Sequence, residues 1–175
     1  MKRTVLALVF VAGAVSAAEP PATVGDVDLP RYAGLWYEVA KYPNRFQRQC
    51  IGDTTATYAL RDDGNVSVVN RCRTRDGFDD VGGLARRVDG RTDRLQVSFL
   101  PAALRWLPIG WGDYWVIELA PDYRYAVVGE PSRQYLWVLA RTRTLSAEDR
   151  RAIEVRLAAH GYDAARLVES PHEKD

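Results

Sequence analysis

The segment YAGLWYEVAKYPNRFQRQC, residues 32–50, contains the pattern that decides the fold. Gly34 stands two residues before Trp36, an apolar run of strand length follows, and a cationic loop then leads to Cys50. A glycine lets another part of the chain approach the backbone closely, and a tryptophan presents a large ring for burial. We therefore expect a β-strand over residues 35–42 whose beginning packs against a distant part of the chain.

Seven further segments of strand length follow, separated by turn sequences. The predicted strands cover residues 35–42, 54–60, 66–72, 81–88, 94–100, 114–120, 124–130 and 134–141. The turns RDDGN (61–65), DGRTD (89–93) and PDY (121–123) are rich in residues that tolerate turn dihedral angles. Short connections join antiparallel neighbours, so these turns predict an up-and-down order of strands.

One helix is predicted after the last strand. Ser146 is a capping residue, Ile153 and Leu157 form an apolar stripe at i, i+4 spacing, and Gly161 ends the helix. An eight-stranded meander closes readily into a barrel, because closure pairs every strand on both sides. The predicted fold is all-β: an eight-stranded up-and-down antiparallel barrel with one C-terminal α-helix packed outside.

The N-terminal residues are predicted to be a signal peptide rather than part of the fold. Lys2 and Arg3 precede an apolar run that ends in small residues, so residues 1–18 would be removed by cleavage after Ala17 or Ala18. This leaves a single domain over residues 19–175. We expect an exported protein, periplasmic or associated with the outer membrane, without an evident lipobox cysteine.

The composition limits the partners and the chemistry. Among 175 residues, 24 basic and 23 acidic side chains nearly balance, which argues against nucleic acid as a partner. Cys50 and Cys72 are the two cysteines, and in an oxidising compartment they predict one disulfide. The alternative is a pair of buried thiols, since two cysteines without a nearby histidine are too few for a zinc site.

Alternation along the strands predicts which side chains face the barrel interior. The sixth strand leaves two choices, because Tyr114 with Val116 competes with Trp115, Ile117 and Leu119 for the inner face. These faces form an apolar lining with aromatic rings and one polar side chain, Asn70; the alternative is that they fill a solid core. The predicted cavity residues are Tyr58, Val68, Asn70, Phe99, Tyr114, Trp137 and Leu139.

Three segments together resemble the signature regions of the lipocalins. They are GLWY (34–37), PDYRYAVV (121–128) and YLWVLARTRTLS (135–146), which contains Arg141. The resemblance covers the whole mature chain and is greatest to the bacterial lipocalins related to apolipoprotein D. It implies that Trp36 and Arg141 meet at the closed end of the barrel as a cation–π pair, with Gly34 allowing the close approach. These three residues are expected to be structural.

The same fold places two loops at the open end. A disulfide from Cys50 to Cys72 would tether the first loop to the barrel wall. The second loop, residues 101–113, is apolar, with Trp106, Leu107 and Trp111 as a candidate lid or membrane-contacting surface. The alternative is that this loop folds inward and fills the upper barrel.

The resemblance implies binding and transport or storage of a small hydrophobic ligand. We expect a fatty acid or lysophospholipid in the bacterial cell envelope. Asn70 and four arginines near the mouth, Arg45, Arg48, Arg71 and Arg73, would favour an anionic head group; the alternative is that these arginines are simply solvated. The alternative is a lipocalin-fold enzyme acting on a lipid or isoprenoid, for which Glu118 would have to face inward. No catalytic residue, cofactor or metal is predicted, and haem is not expected because the barrel strands hold no histidine. The oligomeric state is expected to be a monomer or weak dimer, with possible peripheral membrane contact.

Overall fold

The computed structural model describes residues 19–173 and contains nine strands and two α-helices over that range. The strands are β1 Gly34–Lys41, β2 Gly52–Leu60, β3 Val66–Thr74, β4 Gly77–Arg87, β5 Arg94–Ser98, β6 Gly112–Leu119, β7 Tyr125–Gly129, β8 Trp137–Ala140 and β9 Val168–Glu169. The helices are α1 Leu29–Tyr32 and α2 Ala147–Ala159. Short 3₁₀ turns span Arg45–Gln47, Ala102–Leu104 and Ala164–Arg166.

Strands β1 to β8 form a closed antiparallel barrel. Each strand from β2 to β8 pairs with its neighbours in chain order, and β1 pairs with both β8 and β2. The closing registers set Tyr37 opposite Ala140 on one side of β1 and Gly34 opposite Tyr58 on the other. The predicted eight-stranded up-and-down barrel with an external helix is therefore confirmed.

The ninth strand was not predicted from the sequence. Strand β9 pairs with Ala40 and Lys41 at the end of β1, beyond the point where β1 and β2 separate. The chain then continues alongside β2, where the backbone N–H of Asp53 donates to the carbonyl of Pro171 over 2.8 Å. The C-terminal segment thus fills the gap between β1 and β2 at the open end.

A β-bulge resolves the two choices for the sixth strand. The register of β6 against β7 shifts between Val116 and Glu118, so one additional residue enters the strand there. Before the bulge, Tyr114 and Val116 face the interior cluster, and Trp115 and Ile117 face the external one. After the bulge, Leu119 faces inward as well.

Helix α2 packs against the outside of the barrel as predicted. The hydroxyl of Ser146 accepts a hydrogen bond from the backbone N–H of Asp149, which caps the first turn. Ile153 and Leu157 are buried in the external apolar cluster together with Val127 and other outward-facing residues of β1, β7 and β8. Helix α2 therefore covers an apolar outer wall and does not contribute its own side chains to the barrel interior.

The segment before β1 closes the lower end of the barrel. Val27 is buried in the interior cluster and Leu29 packs against it. The carboxylate of Asp93 accepts a hydrogen bond from the backbone N–H of Gly25, and Thr92 accepts one from Val27. These contacts fix the crossing segment under the barrel.

The predicted signal peptide, residues 1–18, lies outside the described residues. Over residues 19–173, no helix is both long and apolar enough to span a membrane.

Candidate ligand-binding site

The closed end of the barrel is built on Trp36. The ring of Trp36 is fully buried, and its indole N–H donates to the carbonyl of Tyr32 over 2.7 Å. The guanidinium carbon of Arg141 lies 3.8 Å from the centroid of that ring, which is the geometry of a cation–π contact. The same guanidinium donates to the carbonyls of Arg31, Ala33 and, over 2.7 Å, Leu35.

Gly34 is needed at this end for a different reason from the one inferred from the sequence. A Cβ atom at position 34 would lie 3.5 Å from the Nη1 atom of Arg141, which is an ordinary van der Waals distance. The backbone of Gly34 has a φ of +95°, a conformation that other residues rarely adopt. Backbone conformation, rather than close approach, therefore requires the glycine.

The lower half of the interior is densely packed. Trp36, Val116, Ala126 and Val128 are almost completely buried there. The remaining buried members of this cluster are Val27, Tyr32, Ala56, Tyr58, Val66, Val68, Ala85, Leu95 and Leu139. Three predicted cavity residues, Tyr58, Val68 and Leu139, thus belong to the packed floor.

The upper half of the interior is open. Val81 and Asn70 are paired between β4 and β3 on the inward face, yet Val81 is 45% exposed. Phe99, Trp137 and Asn70 also line this region and are only partly buried. Val81 lies beyond the segment Leu84–Arg87 of β4 that pairs with β5, so its exposure shows that the interior is accessible from the open end at this level.

A chain of three tyrosine hydroxyls lies within the interior cluster, where Tyr32 and Tyr58 are buried and Tyr114 is partly buried. The hydroxyl of Tyr114 is 2.7 Å from that of Tyr32 and donates to that of Tyr58 over 2.9 Å. Burial raises the pKa of Tyr58 to about 12, and it raises the pKa values of Tyr32 and Tyr114 well above 10. All three hydroxyls therefore keep their protons at neutral pH.

A charged cluster lies on the inner wall nearer the opening. Glu38, two residues after Trp36 on the same face of β1, is buried, and its carboxylate accepts a hydrogen bond from Lys41 over 2.7 Å. It also accepts hydrogen bonds from the amide of Gln47 and the hydroxyl of Ser170. The Glu38 carboxylate is thus paired with a cation, and it joins β1, the first loop and the C-terminal segment.

The disulfide tethers the first loop to the wall. Cys50 and Cys72 are bonded, with their Cα atoms 5.5 Å apart, which confirms the predicted pairing. Arg45 and Arg48 are exposed on the same loop, whereas Arg73 is paired with Asp53 on the outer wall. Two arginines therefore remain available beside the opening.

The second loop leans outward rather than across the opening. Trp111 lies under the guanidinium of Arg86, 3.9 Å from the ring centroid, and Arg86 projects from the outer face of β4. Trp106 is 77% exposed and Ile109 is 69% exposed, while Leu107 is half-buried. The loop does not fold into the barrel, and Trp111 is not positioned as a lid.

Glu118 faces away from the interior. Its carboxylate binds Arg156 over 2.6 Å and the ring of His160 over 2.9 Å, and both partners lie at the end of α2. A catalytic role for Glu118 would require its side chain to face the barrel interior, and it does not.

Two clefts lie on the outer surface beside the C-terminal segment. One, of about 310 Å³, is lined by residues that include Tyr37, Arg71 and His172, and the other, of about 580 Å³, lies beside Leu145. Both are lined by charged side chains of both signs. Neither offers the apolar surface found inside the barrel, so we assign the candidate site to the interior.

Comparison with known proteins agrees with this architecture. The family model of the lipocalin-like domain matches residues 27–172. The chain belongs to the lipocalin family.

Two curated relatives match this lipocalin over most of its length. Temperature-induced lipocalin-1 of Arabidopsis thaliana is 38% identical over 151 residues, which is 85% of this chain and 81% of that protein. Outer membrane lipoprotein Blc of Escherichia coli (strain K12) is 34% identical over 170 residues, or 91% of this chain and 89% of that protein. The resemblance to bacterial lipocalins is therefore confirmed.

Solved structures agree on the fold. Insecticyanin from the tobacco hornworm Manduca sexta superposes on this lipocalin with a TM-score of 0.70 at 18% identity, covering 90% of this chain and 86% of that chain. At that sequence identity the match supports the barrel fold and carries no information about the ligand.

Several interior residues of this lipocalin were missed in the sequence. Tyr32 precedes the first predicted strand, and Gln47 and Ser170 lie in segments without a strand pattern. Glu38 could have been found by alternation, because it follows Trp36 by two positions and must share its face.

Proposed function

We propose that this lipocalin binds a fatty acid or lysophospholipid inside the barrel and carries or stores it in a bacterial cell envelope. The observation that carries the proposal is the accessible upper part of the interior, where Val81, Phe99 and Trp137 are only partly buried above a packed floor. An apolar cavity with a few polar groups is the usual form of a small-molecule site. Arg45 and Arg48 at the rim complement an anionic head group, which would leave the alkyl chain pointing down.

Envelope function is supported by one of the relatives and by the sequence. The relative from Escherichia coli is named as an outer membrane lipoprotein. In this chain Ala17, Ala18 and Glu19 stand where a lipidated cysteine would be expected, so we propose an exported form that is periplasmic or only peripherally attached to the outer membrane. A lipid-modifying enzyme has less support, since Glu118 is bound on the outside of the barrel.

Filling the upper part of the interior is expected to weaken lipid binding. Val81→Trp places a large ring in the open region, and we expect the affinity for palmitic acid to fall by about 10-fold or more. The affinity is measured by displacement of a fluorescent fatty acid from the purified protein.

Val69→Trp is the matched control for this experiment. Val69 is 44% exposed on the outer face of the neighbouring strand β3, opposite Gly82. We expect this variant to bind palmitic acid with nearly wild-type affinity. Equal affinities for the two variants would place the lipid elsewhere, and no binding to the wild type would overturn the carrier proposal.

We also propose that the second loop contacts a membrane. The exposed side chains of Trp106 and Ile109 are large and apolar, and such groups prefer the interface between head groups and acyl chains. Vesicles of phosphatidylethanolamine and phosphatidylglycerol should shift the tryptophan emission to shorter wavelength, and Trp106→Ala should remove most of the shift. Val155→Ala on the exposed face of α2 is the control, and a shift that persists in Trp106→Ala would contradict the proposal.

A further inference from the structure

The three tyrosine hydroxyls inside the barrel cannot satisfy all of their own hydrogens. Three hydroxyls carry three hydrogen atoms, whereas the two contacts that join Tyr32, Tyr114 and Tyr58 use only two of them. Because Tyr114 donates to Tyr58, it must accept from Tyr32. The hydrogen left without an acceptor is the one on Tyr58.

This spare donor is in a place where an unmet hydrogen bond is costly. Tyr58 is only 7% exposed, and its hydroxyl accepts from Tyr114 and donates no hydrogen bond of its own among residues 19–173. A buried hydroxyl without its partner is unfavourable, so a group that occupies the cavity and accepts this hydrogen gains affinity.

A second polar group lies directly above Tyr58. In the register between β2 and β3, Tyr58 lies opposite Val68 and Ala56 lies opposite Asn70. Asn70 is therefore the next inward-facing residue of β3 after Val68 in the direction of the opening. The residue Asn70 is partly buried, and its side-chain amide forms no hydrogen bond with the described residues 19–173. It offers both a donor and an acceptor to an occupant of the cavity.

The charges around Tyr58 and Asn70 favour a neutral ligand group. The carboxylate of Glu38 faces the same interior and contributes, after burial, to raising the pKa of Tyr58. Lys41, the cation on this part of the inner wall, is already bound to Glu38. Because Lys41 is already paired with Glu38, a carboxylate bound beside Tyr58 and Asn70 would be buried without a cation of its own. A hydroxyl or carbonyl oxygen carries no charge and avoids that penalty.

We propose that Tyr58 and Asn70 bind a neutral oxygen atom, a hydroxyl or a carbonyl, carried on the buried part of the lipid. The inference rests on the proposed carrier function and narrows its ligand class from simple alkyl chains to chains oxygenated at the inner end. Tyr58 lies six residues below Gly52 at the opening, which is about 15 Å along a barrel with tilted strands. An extended chain of roughly twelve carbons spans that depth, with its acidic head at the rim.

The test compares plain acids with their ω-hydroxylated counterparts. The ligands are dodecanoic and tetradecanoic acid and the corresponding 12-hydroxy and 14-hydroxy acids, titrated calorimetrically into the purified protein. Burial of an unpaired hydroxyl would weaken binding by about 10-fold. With Tyr58 and Asn70 as partners, we expect a hydroxylated acid to bind the wild type at least as tightly as the plain acid of the same length.

Removing the tyrosine hydroxyls one at a time should reduce the preference for the hydroxylated acid in stages. In Tyr58→Phe the spare hydrogen moves to Tyr114, 2.9 Å away in the wild type, so part of the preference for the hydroxylated acid should remain. In Tyr58→Phe/Tyr114→Phe only the deeper Tyr32 keeps a hydroxyl, and the hydroxylated acid should bind about 10-fold more weakly than the plain one. Asn70→Leu should also reduce the preference.

Tyr135→Phe is the control, because Tyr135 stacks on Trp137 outside the hydroxyl chain. It should keep the wild-type preference, and the plain acids should bind all variants with similar affinity. A hydroxyl penalty of equal size in the wild type and in Tyr58→Phe/Tyr114→Phe would overturn this inference while leaving the carrier proposal intact. Failure of the wild type to bind any of these acids would overturn both.

Discussion

Replacing Arg141 with methionine is expected to lower the free energy of unfolding by about 3 kcal/mol. The guanidinium holds the carbonyls of Arg31, Ala33 and Leu35 and lies on the ring of Trp36, so methionine would remove several charge-assisted hydrogen bonds and a cation–π contact together. Methionine keeps much of the packing of the side chain. For a domain of this size the melting temperature should fall by about 6–12 °C, measured by circular dichroism.

The control is the same change at an exposed arginine. Arg61 pairs with Asp63 in a surface turn, where an ion pair contributes little, so Arg61→Met should change the free energy of unfolding by less than about 0.5 kcal/mol. If Arg141→Met melts at the wild-type temperature, the closed end does not depend on this contact.

Loss of the disulfide is expected to destabilise the protein to a similar extent. Cys50 and Cys72 are 22 positions apart in the chain, and cross-linking a loop of that length stabilises by about 3 kcal/mol through the entropy of the unfolded state. We therefore expect Cys50→Ala/Cys72→Ala to unfold at a markedly lower urea concentration than the oxidised wild type.

Reduction of the wild type provides the internal comparison. The reduced protein should unfold at nearly the same urea concentration as the double variant, since both lack the cross-link. A reduced wild type as stable as the oxidised one would show that the first loop is held by other contacts, such as the hydrogen bond from Gln47 to Glu38.

The barrel could be predicted from the sequence because its determinants are local or repetitive. Turn residues at regular spacing mark the ends of eight strands, and Ser146 and Gly161 mark the ends of α2. The disulfide between Cys50 and Cys72 could be predicted without a structure, because the chain has two cysteines and they allow one pairing. Contact between Trp36 and Arg141 came from resemblance to a family and not from the pattern of either strand.

Features that depend on tertiary contacts could not be predicted. The sequence of β6 does not indicate the bulge at Ile117, although this one extra residue decides that Leu119 faces inward. The outward position of Trp111 depends on Arg86, a residue of another strand whose outer side it covers. Alternation fixes the two faces of a regular strand, but it fails where the register changes or a loop packs back on the wall.

The polar interior was only partly predicted. Asn70 and Tyr58 follow from alternation, whereas the hydroxyl chain requires Tyr32, which enters from the turn of helix before β1. Ser170, which binds Glu38, directly follows the two-residue strand β9, which is too short to leave a periodic signal.

The C-terminal segment has a consequence for the behaviour of the protein in solution. It pairs with Ala40 and Lys41 of β1 and accepts a hydrogen bond from the backbone N–H of Asp53 in β2. Without it, these backbone groups would be exposed as a strand edge at the open end. Unpaired edges recruit strands from other molecules. A chain cut after Leu167 would offer such an edge, so these last residues protect the lipocalin against self-association and aggregation.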